Sequence, residues 1–71
     1  MLHEQVRSSH VRSVGYSQQE RVLEIAFHGG GVYRYDDVPA DMHAALMTAS
    51  SVGGFLARYV KGRYVYRRIS G

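Results

Sequence analysis

The chain contains no cysteine, so no disulfide can brace it and a thiolate metal site is excluded. No apolar run approaches the ~20 residues that a membrane-spanning helix needs. The opening Met1-Leu2-His3-Glu4-Gln5 lacks a basic stretch followed by an apolar one. No secretory leader is therefore expected, and the expected compartment is the cytoplasm. The histidines His3, His10, His28 and His43 show neither HxxxH nor HExxH spacing and have no acidic cluster beside them, which argues against a metal site. Gly29-Gly30-Gly31 is followed by Val32, not by the Gly-Lys-Ser/Thr of a phosphate loop. Repeats, linkers and low-complexity stretches are missing as well.

The most informative absence is of acid in the last third. All six acidic residues (Glu4, Glu20, Glu24, Asp36, Asp37, Asp41) precede residue 42. Residues 1–50 carry four bases against those six acids, a net −2. The remainder carries Arg58, Lys61, Arg63, Arg67 and Arg68 and no acid, a net +5, which brings the chain to +3. A basic element thus sits on a near-neutral body.

A chain of 71 residues is one domain. A domain this small hides only about 60% of the surface its unfolded form exposes. Its core supplies ~3–5 kcal/mol, so tight packing, self-association or a partner must help. A catalytic grouping of His28, His43 and Lys61 would need a water-excluding cleft, for which there is little room. Ser50 and Ser51 have no base at motif spacing. Asp36-Asp37 reads as an exposed turn before a helix, not as an acid/base pair. No enzymatic activity and no cofactor are expected.

Residues 1–8 are polar without a clean period and read as a tail or a weak leading strand; residues 9–70 read as one domain. Val11, Val14 and Tyr16 mark a strand from Ser9 to Tyr16, with a bulge near Arg12-Ser13 needed to bring both valines to one face. Arg21 to His28 alternates, with Leu23, Ile25 and Phe27 on one face and Glu24, Ala26 and His28 on the other. Val32 to Asp36 alternates again after the glycines, which signals a hairpin. A two-residue loop would force Arg34 onto the apolar face. A three-residue loop over Gly29–Gly31 pairs Phe27 with Tyr33 and Ile25 with Tyr35. Both tyrosines then face the core, and Arg34 lies outside, diagonal to Glu24.

Pro39 suits the first position of a helix and Asp41 its first turn. Met42, Ala45, Leu46 and Ala49 form one helical face. A second short helix is expected over Gly54 to Val60, with Phe55, Leu56, Tyr59 and Val60 on its apolar side and Lys61-Gly62 at its end. A last strand follows from Tyr64 to Ile69. The expected class is α+β: a small antiparallel sheet in the order β-β-β-α-α-β, with two short helices packed on one face.

Several short motifs occur here in a fixed order. They are Ser9 with Val11, Val14-Gly15-Tyr16, the Leu23–Phe27 strand, a central Tyr33-Arg34-Tyr35, Asp37-Val38-Pro39, Ala49-Ser50-Ser51 with Gly53, and Val60-Lys61-Gly62-Arg63-Tyr64. In that order and spacing, over roughly residues 9–69, the chain resembles the KTSC domain. That family is named for its occurrence at the C-terminus of some lysyl-tRNA synthetases and also occurs as stand-alone bacterial proteins. The resemblance implies a fold and, through the synthetase context, RNA binding. It does not imply aminoacylation, because no synthetase portion is present.

The expected function is a small non-catalytic module that binds RNA or another nucleic acid through the basic C-terminal strand and the helix before it. The candidate contacts are Arg58, Lys61, Arg63, Arg67 and Arg68 for phosphates, with Tyr64 and Tyr66 for bases. Tyr64, Tyr66 and Arg68 would share an exposed face if Val65 and Ile69 face the core. Tyr33 and Tyr35 are expected to be structural. The alternative is a protein-interaction module that docks on a larger assembly, with the basic strand meeting an acidic surface or its edge pairing with a partner strand. A monomer or weak dimer is expected, without a membrane partner.

Overall fold

The alternating segments fold as strands and pair in chain order. The computed structural model describes residues 1–70. It contains β1 (His3–Gln5), β2 (Val11–Ser17), β3 (Val22–Phe27) and β4 (Val32–Tyr35), then α1 (Ala40–Thr48), α2 (Val52–Phe55) running into a π-helical stretch (Leu56–Val60), and finally β5 (Tyr66–Ser70). All five strands form one antiparallel sheet in the order β1-β2-β3-β4-β5. The architecture is α+β, with one strand more than the alternation predicts. β1 is polar and exposed throughout, so it carries no hydrophobic period.

The bulge in the first predicted strand is present. The register of β2 against β3 shifts between Val11 and Ser13. Both Val11 and Val14 are buried as a result. The β3–β4 hairpin has the predicted face assignment but another register. Ile25 pairs with Tyr33 and Leu23 with Tyr35. The loop begins one residue earlier than predicted. Gly30 N–H donates to Phe27 O and Phe27 N–H donates to Gly31 O, both at 3.1 Å. His28 thereby joins the loop, and Gly30 and Gly31 supply the positive φ values, +106° and +92°, that a tight three-residue connection requires. Arg34 consequently stands directly opposite Glu24, not diagonal to it.

The helices close one face. Pro39 is the residue before α1 rather than its first position, and Asp41 lies in the first turn. Leu46 is buried, with Met42 and Met47 packed beside it, whereas Ala45 faces solvent. His43 takes up part of that face by stacking on Tyr16, centroids 4.5 Å apart. The second helix starts two residues before the predicted Gly54, because Ser51 Oγ accepts the Gly54 N–H at 3.1 Å and caps it. Its last turn is wide: Lys61 N–H donates to Leu56 O at 2.9 Å, five residues back. The core joins Val11, Val14, Leu23 and Ile25 of the sheet to Leu46, Val52, Leu56 and Val60 of the helical segments, with Tyr35 and Val38 completing it. β5 lies at one edge of the sheet, and all five of its residues are exposed. Among the described residues no helix is long and apolar enough to cross a membrane.

Candidate nucleic-acid interface

Strand pairing brings together aromatic residues that are far apart in the chain. Tyr66 of β5 is the direct partner of Tyr35 on β4, and Arg68 pairs with Tyr33. Directly opposed residues in an antiparallel pair project to the same face. The Tyr66 ring therefore meets those of Tyr35 and Tyr33, at centroid distances of 5.6 and 5.8 Å. Phe27 of β3 extends the row, edge-on to Tyr33 at 5.6 Å. The helices cover Tyr35, which is 2% exposed, and leave Tyr66 57% exposed. The result is an open shelf on the helix-bearing side of β3, β4 and β5, around a shallow hollow of about 570 Å³.

Cations flank the shelf. Lys61 Nζ lies 5.4 Å from the Phe27 centroid, and the Arg68 guanidinium carbon lies 5.9 Å from that of Tyr33. Both are within cation–π range. Burial, with the neighbouring Tyr66 and Tyr33, pushes the Tyr35 hydroxyl pKa above its ordinary value, so that hydroxyl stays neutral. Among the described residues no acidic side chain lines the hollow.

The sequence-predicted contacts are distributed over several surfaces. Lys61, Tyr66 and Arg68 meet at the shelf. Arg67 pairs across the ladder with Arg34, which places it on the opposite face of the sheet. Arg58 lines a separate hollow with Phe55 and Tyr59. Arg63 lies in the exposed turn after Gly62, its N–H bonded to Val60 O at 3.1 Å. Tyr64 precedes the strand, which begins at Tyr66, and packs against the core. Val65 and Ile69 are exposed, at 75% and 40%, so Tyr66 and Arg68 do not oppose a buried Val65–Ile69 face. They share the face of Tyr33 and Tyr35 instead. Phe27 and Tyr33 belong to the shelf yet read as core residues from alternation alone.

The other face of the sheet holds a polar chain of which the sequence announces only the nearness of Arg34 to Glu24. Glu24 is 7% exposed even though alternation places it outside. Its Oε1 lies 2.7 Å from His3 Nε2, and its Oε2 accepts from Arg34 Nη2 at 2.6 Å and from Nε at 3.2 Å. His3 Nδ1 lies 2.8 Å from Ser13 Oγ. An ionised carboxylate only accepts, so Nε2 carries a proton toward Glu24. Burial alone would raise the Glu24 pKa, but the hydrogen bonds and charges of His3 and Arg34 together hold it below the usual carboxylate value. Gly15 makes room for the imidazole: a Cβ there would lie 2.6 Å from His3 Cδ2. The connectivity is that of a serine–histidine–carboxylate relay. Ser13, however, is 8% exposed and lies within a strand paired on both sides, so its hydroxyl is not presented to a substrate. The chain fastens β1 to the sheet.

Among the described residues no group of three or more His, Cys, Asp or Glu side chains could hold a metal ion. A family model described as the KTSC domain matches residues 7–64. A protein of Stutzerimonas stutzeri described as uncharacterized is 38% identical over 65 residues, covering 90% of this chain and 92% of that one. A lysine–tRNA ligase of Nostoc punctiforme is 31% identical over 60 residues, which are 84% of this chain and 11% of the ligase. The crystal structure of a KTSC domain protein from Yersinia pestis matches with a TM-score of 0.94 at 38% identity, over 96% of each chain.

Proposed function

This chain belongs to the KTSC domain family, and from that premise we propose that it is a non-catalytic, cytoplasmic module that binds single-stranded RNA. The observation that carries the reading is the shelf of Phe27, Tyr33 and Tyr66 with Lys61 and Arg68 over its rings. Bases of every kind stack on aromatic rings, and cations beside them take up phosphate charge. A duplex keeps its base faces stacked internally, so the shelf favours unpaired nucleotides. The likeness to a lysine–tRNA ligase supports tRNA as the class of RNA. Arg58, Arg63 and Arg67 strengthen the positive field without reaching the shelf, and Tyr64 anchors the approach to β5.

Titration of a labelled single-stranded RNA and of a tRNA across about 25–200 mM salt tests this. Two or three phosphate contacts give a log–log slope of about −1.5 to −2. Tyr66→Ala and Lys61→Ala should each weaken binding. No binding at the lowest salt would overturn the reading.

A second reading rests on a separate observation: β5 is an edge strand with Ile69 exposed within it and Val65 exposed just before it. An unpaired edge of this kind can accept a strand from a protein partner. Recovery of one protein from lysate after nuclease treatment favours docking, whereas loss of all bound material with nuclease favours RNA.

A further inference from the structure

Across the Lys61–Phe27 contact from the shelf lies a second hollow of about 560 Å³. Two segments distant in sequence form its walls. One is the β1–β2 connection, with Arg7, Ser8 and His10; the other is the entry to α2, with Ser51 and Gly54. Lys61 and Phe27 line both hollows, so the two share a wall. Among the described residues no carboxylate lines the second one.

Two of its hydroxyls are committed on one side only. Ser8 Oγ accepts the backbone N–H groups of His10 and Val11, at 3.2 and 3.1 Å. Ser51 Oγ accepts that of Gly54 at 3.1 Å. Neither hydroxyl donates to an acceptor among the described residues. Each oxygen is therefore held in place while its proton is available to a ligand. Donation of backbone N–H groups into a hydroxyl also makes that hydroxyl a better donor in turn. Two such donors with Arg7 and Lys61 nearby suit a ligand that only accepts and carries negative charge. The hollow is large enough for a phosphate together with part of its sugar.

We propose that this cleft holds the phosphate of a nucleotide whose base stacks on the Tyr33–Tyr66 shelf, with Lys61 between the two. The proposal rests on the RNA-binding reading of the shelf and adds the second half of the site. It also makes Arg7, Ser8 and Ser51 ligand-binding residues, although the first two precede the domain start read from the sequence and Ser51 shows no catalytic spacing.

The test is amide NMR of the whole chain titrated in parallel with uridine, uridine monophosphate and inorganic phosphate. Phosphate should shift the amides of His10, Val11 and Gly54. Uridine should shift those of Gly30, Tyr33 and Tyr66, and uridine monophosphate both sets. The monophosphate should bind about tenfold more tightly than uridine, as expected for hydrogen bonds to a charged group. Ser51→Asp retains a capping oxygen for Gly54 but replaces the donor with a negative charge. It should preserve the folded spectrum and the uridine response and abolish the tenfold gain. A monophosphate no tighter than uridine, with the shelf amides still moving, overturns the phosphate cleft and leaves the shelf standing. Cleft shifts with phosphate but no shelf response to uridine or its monophosphate overturn the shelf, and the two-part site with it.

Discussion

Tyr66 stands directly opposite Tyr35 across the β4–β5 ladder, with ring centroids 5.6 Å apart. The helices bury one ring and leave the other open. Tyr35 ties the sheet to the core, and Tyr66 carries the same aromatic surface out to solvent. The central tyrosine motif and the C-terminal strand thus share one aromatic surface.

Truncating the two rings should have opposite consequences. Tyr66→Ala should weaken RNA binding by about tenfold, within the ~1–3 kcal/mol of a base–aromatic stack, and cost less than ~1 kcal/mol of stability. Tyr35→Ala should cost about 3–5 kcal/mol by leaving a cavity and unfold a domain this small. Urea denaturation and RNA titration of the same two proteins separate the effects.

Arg67 and Arg68 are neighbours in sequence on opposite faces of β5 and should differ as strongly. Arg68→Ala should weaken RNA binding and Arg67→Ala should do so far less. Arg67 faces Arg34 across the ladder, and like charges directly opposed are unfavourable. Arg67→Glu should therefore raise the thermal midpoint. Equal losses of RNA affinity for the two alanine variants would count against the shelf.

Gly15→Ala should destabilise the fold by about 1–3 kcal/mol, the usual cost of overpacking. The added methyl would lie 2.6 Å from His3 Cδ2 and 2.8 Å from Nε2, so the ring must leave Glu24. Denaturation of Gly15→Ala, His3→Ala and the double variant measures this. If the methyl acts through His3, the two losses will not add.

The protein should be less stable in acid, through two groups. The Glu24 pKa is lowered in the fold, so its contribution is complete above the unfolded value of 4.5 and is lost as pH falls through the folded value. Burial lowers the His43 pKa from 6.5, so the neutral ring favours the fold above that pH and the advantage declines below it. Denaturation midpoints should fall from pH 7 to 5 through His43 and further below 4.5 through Glu24. His43→Gln should flatten the first step, and Glu24→Gln the second. A wild-type midpoint that does not change between pH 7 and 5 would remove the His43 assignment.

The faces of β3 and β4 are legible in the sequence because alternation has a period of two and the apolar set is unambiguous. Their register is less so: moving the loop by one residue shifts the pairing by two and keeps every face, so Tyr33 and Tyr35 stay inward either way. β1 is not legible. His3-Glu4-Gln5 has no apolar residue, and what docks it is a side-chain chain to Glu24, twenty-one residues away. The helical face of Ala45 is misread because His43 gains a stacking partner, Tyr16, from another element. The positive charge of the last third is plain, but its meeting with Tyr33 and Phe27 depends on β5 pairing with β4, which no local pattern encodes.

That pairing spans residues 36–65, which include both helices. The other strand neighbours are joined by short connections and close small loops. The β4–β5 ladder closes the largest loop in the sheet and gains little burial in return, since all of β5 is exposed. That balance makes the last strand the most weakly held part of the sheet. Hydrogen exchange should accordingly show β5 amides opening well before those of β2 and β3. The surface proposed to face RNA would then be the part of the native sheet surrendered first under stress.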